Sequence, residues 1–435
     1  MQEKLINNFL RISKIPRKSG NEKQISNFFV KIAKENNLYY FQDNNYNLLI
    51  KKEGNIAGDS IAFQAHLDMV CVKKEESNHN FDTDPIEVII KEDKIYAKDT
   101  SLGADQGFGL SIMLTLIESK EIKHPNLEFI FTVEEETTFK GAETFPYEKI
   151  DSKKIINLDS DKDDALVINS AGDIVSELSY TGNLETRDMP SYKLTIDNIP
   201  GGNSGNNIDI SANNAIIQLS RELLNNKIYI SSINGGTFEN DIATKCEAII
   251  QTNIDLKRII TNKNIIIEQI NNKKSFSLEE SNSIIKEIME LKSGYLTNSA
   301  SANLGEIKTM DNNIKIKYLI RSTKDNELET IQKKVEALNN RFKITILYKD
   351  PIWKLNKESK LYQKYKETYY NLYKEYPKES TAQGGLEIAT IQNHMNNIDI
   401  ITIGANMDNI HTINEITYIS SWEKIYNILI SFLSN

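Results

Sequence analysis

Apolar residues recur along the chain in two rhythms. After Ser19-Gly20-Asn21-Glu22, which has the form of a capping box, Ile25, Phe28, Phe29, Ile32 and Ala33 fall at helical spacing and predict an amphipathic helix over 21–36. Short apolar runs follow, each ending in polar residues. Ile61-Ala62-Phe63-Gln64-Ala65 runs into His66-Leu67-Asp68. Leu127, Phe129, Phe131 and Val133 alternate into Glu134-Glu135-Glu136. The run 154–158 ends at Asp159, and 398–403 leads to Gly404 and, seven residues later, His411. Between the first two, Gly103-Ala104-Asp105-Gln106-Gly107 opens an apolar-rich helix around 107–118.

The middle of the chain reads differently. Strand-like 192–196, 314–320 and 342–348 alternate with helix-like 215–224 and 328–338, the pattern of a compact α+β insertion over 185–350. The outer segments, 1–184 and 351–435, are then the two parts of one discontinuous α/β domain. Tyr362, Tyr365, Tyr369 and Leu372 give the lysine-rich stretch 354–374 one apolar stripe, so it reads as an amphipathic helix and not as a nucleic-acid patch.

Composition narrows the function. The 435 residues hold 39% hydrophobic and 26% charged positions, a soluble globular balance with room for two or three domains. No run reaches the ~18 apolar residues of a membrane helix, and no apolar leader follows Met1, so a cytoplasmic protein is expected. Two cysteines, Cys71 and Cys246, exclude a disulfide framework and a thiolate-only zinc site, and read as small buried residues. Sixty-one acidic against 52 basic residues give a net charge of -9, which argues against a nucleic-acid partner. With only five histidines, any polynuclear metal site must lean on carboxylates.

In open α/β sheets ligands gather beyond the carboxyl ends of the strands. His66, Asp105, Glu136, Asp159 and His411 all follow strand ends or open a helix, and together they offer the nitrogen and oxygen donors that zinc accepts. Asp68, two residues beyond His66, could orient its imidazole, and Glu135, beside a proposed ligand, is the natural general base. Taken singly, each has an ordinary reading: Asp105 as a turn or helix cap, Glu134–Glu136 as a solvated charge run, Asp159 as an N-cap and His411 as an exposed loop residue.

Gln64-Ala65-His66-Leu67-Asp68-Met69-Val70, Leu102-Gly103-Ala104-Asp105-Gln106-Gly107, Glu135-Glu136 with Gly141-Ala142, and Asn157-Leu158-Asp159-Ser160 resemble, in order and spacing, the zinc-dependent dipeptidases of the aminoacyl-histidine dipeptidase type. The wider family includes tripeptidases and carboxypeptidases. Gly201-Gly202-Asn203-Ser204-Gly205, Asn234-Gly235-Gly236-Thr237, Leu319-Ile320-Arg321-Ser322, Gly385-Leu386-Glu387 and Ile403-Gly404 extend the resemblance over almost the whole chain. It implies a di-zinc α/β catalytic domain with an inserted α+β lid domain, acting on short peptides. Asp105 would bridge two zinc ions, His66 and Asp159 completing one and Glu136 and His411 the other. Glu135 would serve as general base and Asp68 would tune His66. Arg321 would hold a substrate carboxylate or else form a surface ion pair, and Asn240 stands between similar alternatives.

The chain departs from that pattern away from the ligands. Asn203 stands where the relatives carry a lid histidine, thought to act across a dimer; Asn donates a hydrogen bond but carries no charge. Gln383 replaces a usual histidine, Thr138 a usual glycine, and His411 is followed by Thr-Ile-Asn-Glu instead of Ser-Pro-Asp-Glu. The resemblance therefore implies a dipeptidase, with an N-acyl amino acid or tripeptide hydrolase as the second enzymatic reading and a non-catalytic metal-binding relative as the third. A homodimer through the lid domain belongs to the same expectation.

Overall fold

The computed structural model describes residues 2–205, 207–338 and 341–434. By their contacts these group into two compact units, the first made of 1–169, 353–381 and 386–435, the second of 170–352 and 382–385.

An eight-stranded mixed sheet organises the first unit, in the order Tyr39–Gln42, Leu48–Lys52, Leu127–Thr132, Ile61–His66, Lys154–Ser160, Asp399–Gly404, Ala165–Ser170, Lys378–Ala382. Its middle four strands are parallel. Strands Ile61–His66 and Leu127–Thr132 are buried at every residue, as parallel strands covered on both faces must be. Helix Ala104–Glu118 packs on Ile61–His66, on Lys154–Ser160 and on helix Gln2–Ser13. Gln106 through Ile117 are all buried, which explains why that segment has no polar face. Helices Gln2–Ser13 and Ile419–Ser434 lie outside the elements expected from the pattern; both bury an apolar stripe, and Trp422 meets Phe9 edge-on at 5.1 Å. Gly404 marks the closest approach in the sheet: a Cβ there would fall 1.7 Å from the carbonyl oxygen of Ser160.

A small antiparallel sheet joins Val88–Lys91, Lys94–Ala97, Ile416–Tyr418 and Met407–Asp408. Its register pairs Ile416 with Tyr96 and Tyr418 with Lys94, bringing two segments more than 300 residues apart in sequence side by side.

The second unit carries a nine-stranded sheet, antiparallel in all its described pairings, running from Ile265–Ile270 at one edge to Lys343–Asp350 at the other. Helices Ala215–Leu223, Leu278–Glu290 and Asp325–Leu338 pack on it around Leu194, Ile230, Phe276, Ile284 and Ile320. Strand Gly172–Thr181, on the near side of the junction expected at 184/185, pairs within this sheet, with Asn313–Ser322 and Lys343–Asp350.

Three local expectations are corrected. The first helix spans Lys23–Glu35 with Glu22 as its N-cap residue, and no side chain caps it. Ser19 forms no capping box, since it lies three residues ahead of that N-cap position; its hydroxyl donates to Asp68 Oδ2 at 2.7 Å, while Glu22 accepts from the amides of Gly20 and Glu134. Helix Lys360–Tyr373 buries Tyr362, Tyr365 and Tyr369, yet Leu372 is exposed, since it lies at the edge of the stripe in the last turn. Cys246 is buried, but Cys71 only half so.

Candidate metal centre

The parallel strands deliver side chains to one rim. His66 is the last residue of its strand, Glu134–Glu136 follow the neighbouring strand, and Asp159 is the penultimate residue of the next. Asp105 lies at the start of helix Ala104–Glu118, where the Asp105–Gln106 peptide is cis, and His411 comes from the loop between strands Met407–Asp408 and Ile416–Tyr418.

Asp105 is the centre of the cluster. Its Oδ1 is 3.2 Å from His66 Nε2, and its Oδ2 is 3.2 Å from His411 Nε2. His411 Nε2 also lies 3.1 Å from Glu136. Ligand atoms of His66, Asp105 and Glu136 all fall within 4.8 Å of one another. Glu135 Oε2 is 3.9 Å from His66 Nε2, close to the cluster without being one of its nearest donors. Asp159 joins differently: its Oδ1 accepts from the side-chain amide of Gln106, the residue after Asp105.

The electrostatics are those of a cation site. Burial alone would lower the pKa of His66, but the charge of Glu135 and contacts with Asp105 and Asp68 raise it well above its ordinary value. Burial, Glu136 and Asp105 act on His411 in the same opposed way, again with a net rise. Burial, helped by Asp159, Glu136 and Glu387, pushes Glu135 well above the usual carboxylate range. Asp159 is pushed up to about 7, by burial and then by Asp105. Crowded buried carboxylates thus raise the proton affinity of one another and of the imidazoles between them, and bound cations would satisfy the same oxygens. The spacing agrees: neighbouring ligand atoms on a tetrahedral zinc with ~2.0–2.1 Å bonds are about 3.3 Å apart. The donors of His66, Asp105 and Glu136 therefore fit a divalent ion.

A further set of residues supports the cluster, none of which was assigned a role there from the sequence. Arg17, 3% exposed, donates from Nη1 to the carbonyls of Leu67 (3.2 Å) and Asp68, and from Nη2 to that of Gly103. Glu415 accepts the amides of the 102–105 segment. Glu387, fully buried, accepts from Gln64 and from Thr132 (2.8 Å), while Gln64 accepts from Asn157 at 2.6 Å. This network crosses three strands beneath the site, and burial pushes Glu387 up to about 7. The sequence signals were slight: Glu387 closes the Gly-Gly-Leu-Glu string and Glu415 the string after His411.

In the second unit the remaining three predicted residues come together. Arg321 forms an ion pair, as one of its two readings expected, but a buried one and not at the surface: its Nε donates to both oxygens of Asp173 at 3.2 Å and its Nη1 to Ser204 at 2.8 Å. The Ser204 amide donates to the carbonyl of Asn240 at 2.7 Å. Asn203 Oδ1 accepts the amide of Gly205 at 2.7 Å, closing the turn.

A model of peptidase family M20/M25/M40 matches residues 62–435. The cytosol non-specific dipeptidase of Escherichia coli strain K12 is 26% identical over 464 residues, an alignment covering 98% of this chain and 96% of that protein. The crystal structure of aminoacylhistidine dipeptidase from Vibrio alginolyticus shares the fold, with a TM-score of 0.73 at 23% identity over 99% of this chain and 96% of that one. So does a Bacillus subtilis protein described as a dinuclear metal-binding peptidase of the M20 family, at a TM-score of 0.52 and 13% identity, covering 100% and 97%. The match over most of the chain, with the strand-end cluster inside it, makes this protein a member of peptidase family M20/M25/M40, a metal-dependent hydrolase.

Proposed function

We propose that the protein is a dinuclear metallopeptidase that hydrolyses dipeptides. The observation that carries the reading is the placement of one carboxylate, Asp105, between two imidazoles, with Glu135 beside them. His66 and Asp159 would hold one ion and Glu136 and His411 the other, zinc being the metal that suits this donor set. Bound metals would supply Lewis acidity toward the scissile carbonyl and lower the pKa of a shared water. Glu135 takes the proton of the attacking water and hands it to the leaving amine nitrogen, while Asp68 holds His66 in orientation. In the second unit, Arg321, with Asn203 and Asn240, would recognise polar groups of a substrate, a guanidinium being suited to a carboxylate.

The names of the Escherichia coli and Vibrio relatives support a dipeptide substrate, and the former, with two unpaired cysteines here, supports a cytoplasmic setting. No helix among the described residues is long and apolar enough to cross a membrane. A homodimer, expected from the resemblance, is tested by light scattering. The functional reading is tested by hydrolysis of a panel of dipeptides, including Xaa-His, beside tripeptides and N-acyl amino acids. Activity lost with a chelator and restored by zinc, greatest on dipeptides, supports it; preference for an N-acyl amino acid or a tripeptide replaces the substrate class, and no hydrolysis of any member overturns it.

A further inference from the structure

We propose that Glu415 is a positioning residue for the metal centre, holding the backbone that carries Asp105 in register with the loop that carries His411. The inference rests on the dinuclear reading above and adds a residue to it.

Glu415 is 3% exposed, and both its oxygens are spent on one segment. Oε2 accepts the amides of Leu102 at 2.8 Å and Gly103 at 3.0 Å; Oε1 accepts those of Ala104 at 2.8 Å and Asp105 at 3.5 Å. The opposite side of the same segment is held by a buried cation, because Arg17 Nη2 donates to the Gly103 carbonyl while its Nη1 reaches the carbonyls of Leu67 and Asp68. Gly103 is therefore gripped through its N–H by an anion and through its C=O by a cation. No side chain fits there: Gly103 has φ +69, and a Cβ would lie 2.5 Å from Arg17 Nη2 and 2.7 Å from Met69 Sδ.

These amides also open helix Ala104–Glu118, so a carboxylate near them would be favourable as a cap alone. Two facts carry the inference further. The gripped segment ends at the residue whose two oxygens face His66 and His411 separately. And the gripping carboxylate lies four residues after His411, fixed in place by the pairing of Ile416 with Tyr96. One side chain thus ties the bridging carboxylate to a ligand 306 residues away. Metal ligands need placement within about 0.5 Å, and outlying partners that fix them change affinity by ~10–100-fold.

The test compares the wild type with Glu415→Gln and Glu415→Asp, the first turning an N–H2 group toward the amides and the second withdrawing the carboxylate by one methylene. Metal-free protein is titrated with Co²⁺, following visible absorption and competition with a chelator, and its melting temperature is recorded. The expected result is folded variants that bind Co²⁺ at least tenfold more weakly, with an altered absorption spectrum and a kcat that falls more than KM rises. Should Glu415→Gln fail to fold, Glu415→Asp is judged by the same readings. Unchanged affinity and spectrum with only a lowered melting temperature would reduce Glu415 to a helix cap and overturn the proposal. A wild type that binds no Co²⁺ would instead overturn the functional reading itself.

Discussion

The backbone N–H of Glu135 donates to Asp68 Oδ1 at 3.1 Å, so the carboxylate that lies 3.4 Å from His66 Nδ1 also anchors the segment bearing the proposed base. Its second oxygen accepts the amide of Glu136 at 3.1 Å and the hydroxyl of Ser19. Burial would push Asp68 up, but His66 and these donors hold it below the usual carboxylate range. The substitution Asp68→Asn removes the charge and sets an N–H2 group either against the His66 imidazole and the Glu135 amide or against the Glu136 amide and the Ser19 hydroxyl. Hydrolysis and metal affinity are expected to fall together by about 10–100-fold. Steady-state kinetics with metal competition check this, and an Asp68→Asn variant of wild-type activity would refute it.

Glu22 offers a pH signature separable from catalysis. Burial, then the charge of Asp68, pushes it up to about 7. A carboxyl whose folded pKa lies above its unfolded one binds its proton more tightly in the folded chain. Its ionisation therefore costs stability progressively as pH rises from about 4.5 to about 7, and the cost is constant above. Glu22→Gln keeps an acceptor for Gly20 and Glu134 and should flatten that slope. Urea midpoints of both proteins at pH 5 and 8 are the check: the variant's advantage should grow by about 2–3 kcal/mol across the window, and an equal advantage at both values contradicts the assignment.

Arg321 and Asp173 form a buried pair, each with a side chain 9% exposed. Removing one partner strands the other charge, so Arg321→Met should destabilise by about 3–5 kcal/mol, and Asp173→Asn added to it should recover much of that loss. Urea unfolding of the single and double variants measures this. A single variant within about 1 kcal/mol of the wild type would show that the pair is not confined as described.

The elements nearest the centre were the most legible. His66, Asp105, Glu136 and His411 sit where apolar runs break into polar strings, and strand ends in an α/β sheet are where such strings converge. Glu415, Arg17 and Glu387 were not legible as supports, because their partners are set by pairings across 50 to more than 300 residues. Ser19 shows a more specific failure. The string Ser-Gly-Asn-Glu satisfies a local capping pattern, yet the helix begins only at Lys23, and the Ser19 hydroxyl is turned to a buried carboxylate. The strand Gly172–Thr181 went unread because Ile174, Val175, Leu178 and Tyr180 break strict alternation, although most of the strand is buried.

Neither cysteine should act as a reactive thiol. Burial raises Cys71 to about 11, and raises Cys246 further. At about pH 7.5 the thiolate of Cys71 is then on the order of one molecule in three thousand. A chromogenic disulfide reagent should label both thiols at once in urea and neither quickly in the folded protein. Fast labelling of Cys71 with loss of activity would point to a thiol role that the geometry does not provide.

If Glu135 moves the proton at a metal centre that it does not itself hold, its removal must separate metal binding from turnover. The most direct measurement is metal content and dipeptide hydrolysis of Glu135→Gln beside the wild type. Two divalent ions per chain in both proteins, with hydrolysis reduced by about 10²–10⁴-fold in the variant, is the predicted result. A variant that hydrolyses dipeptides at the wild-type rate, or one that loses its metal along with its activity, would contradict it.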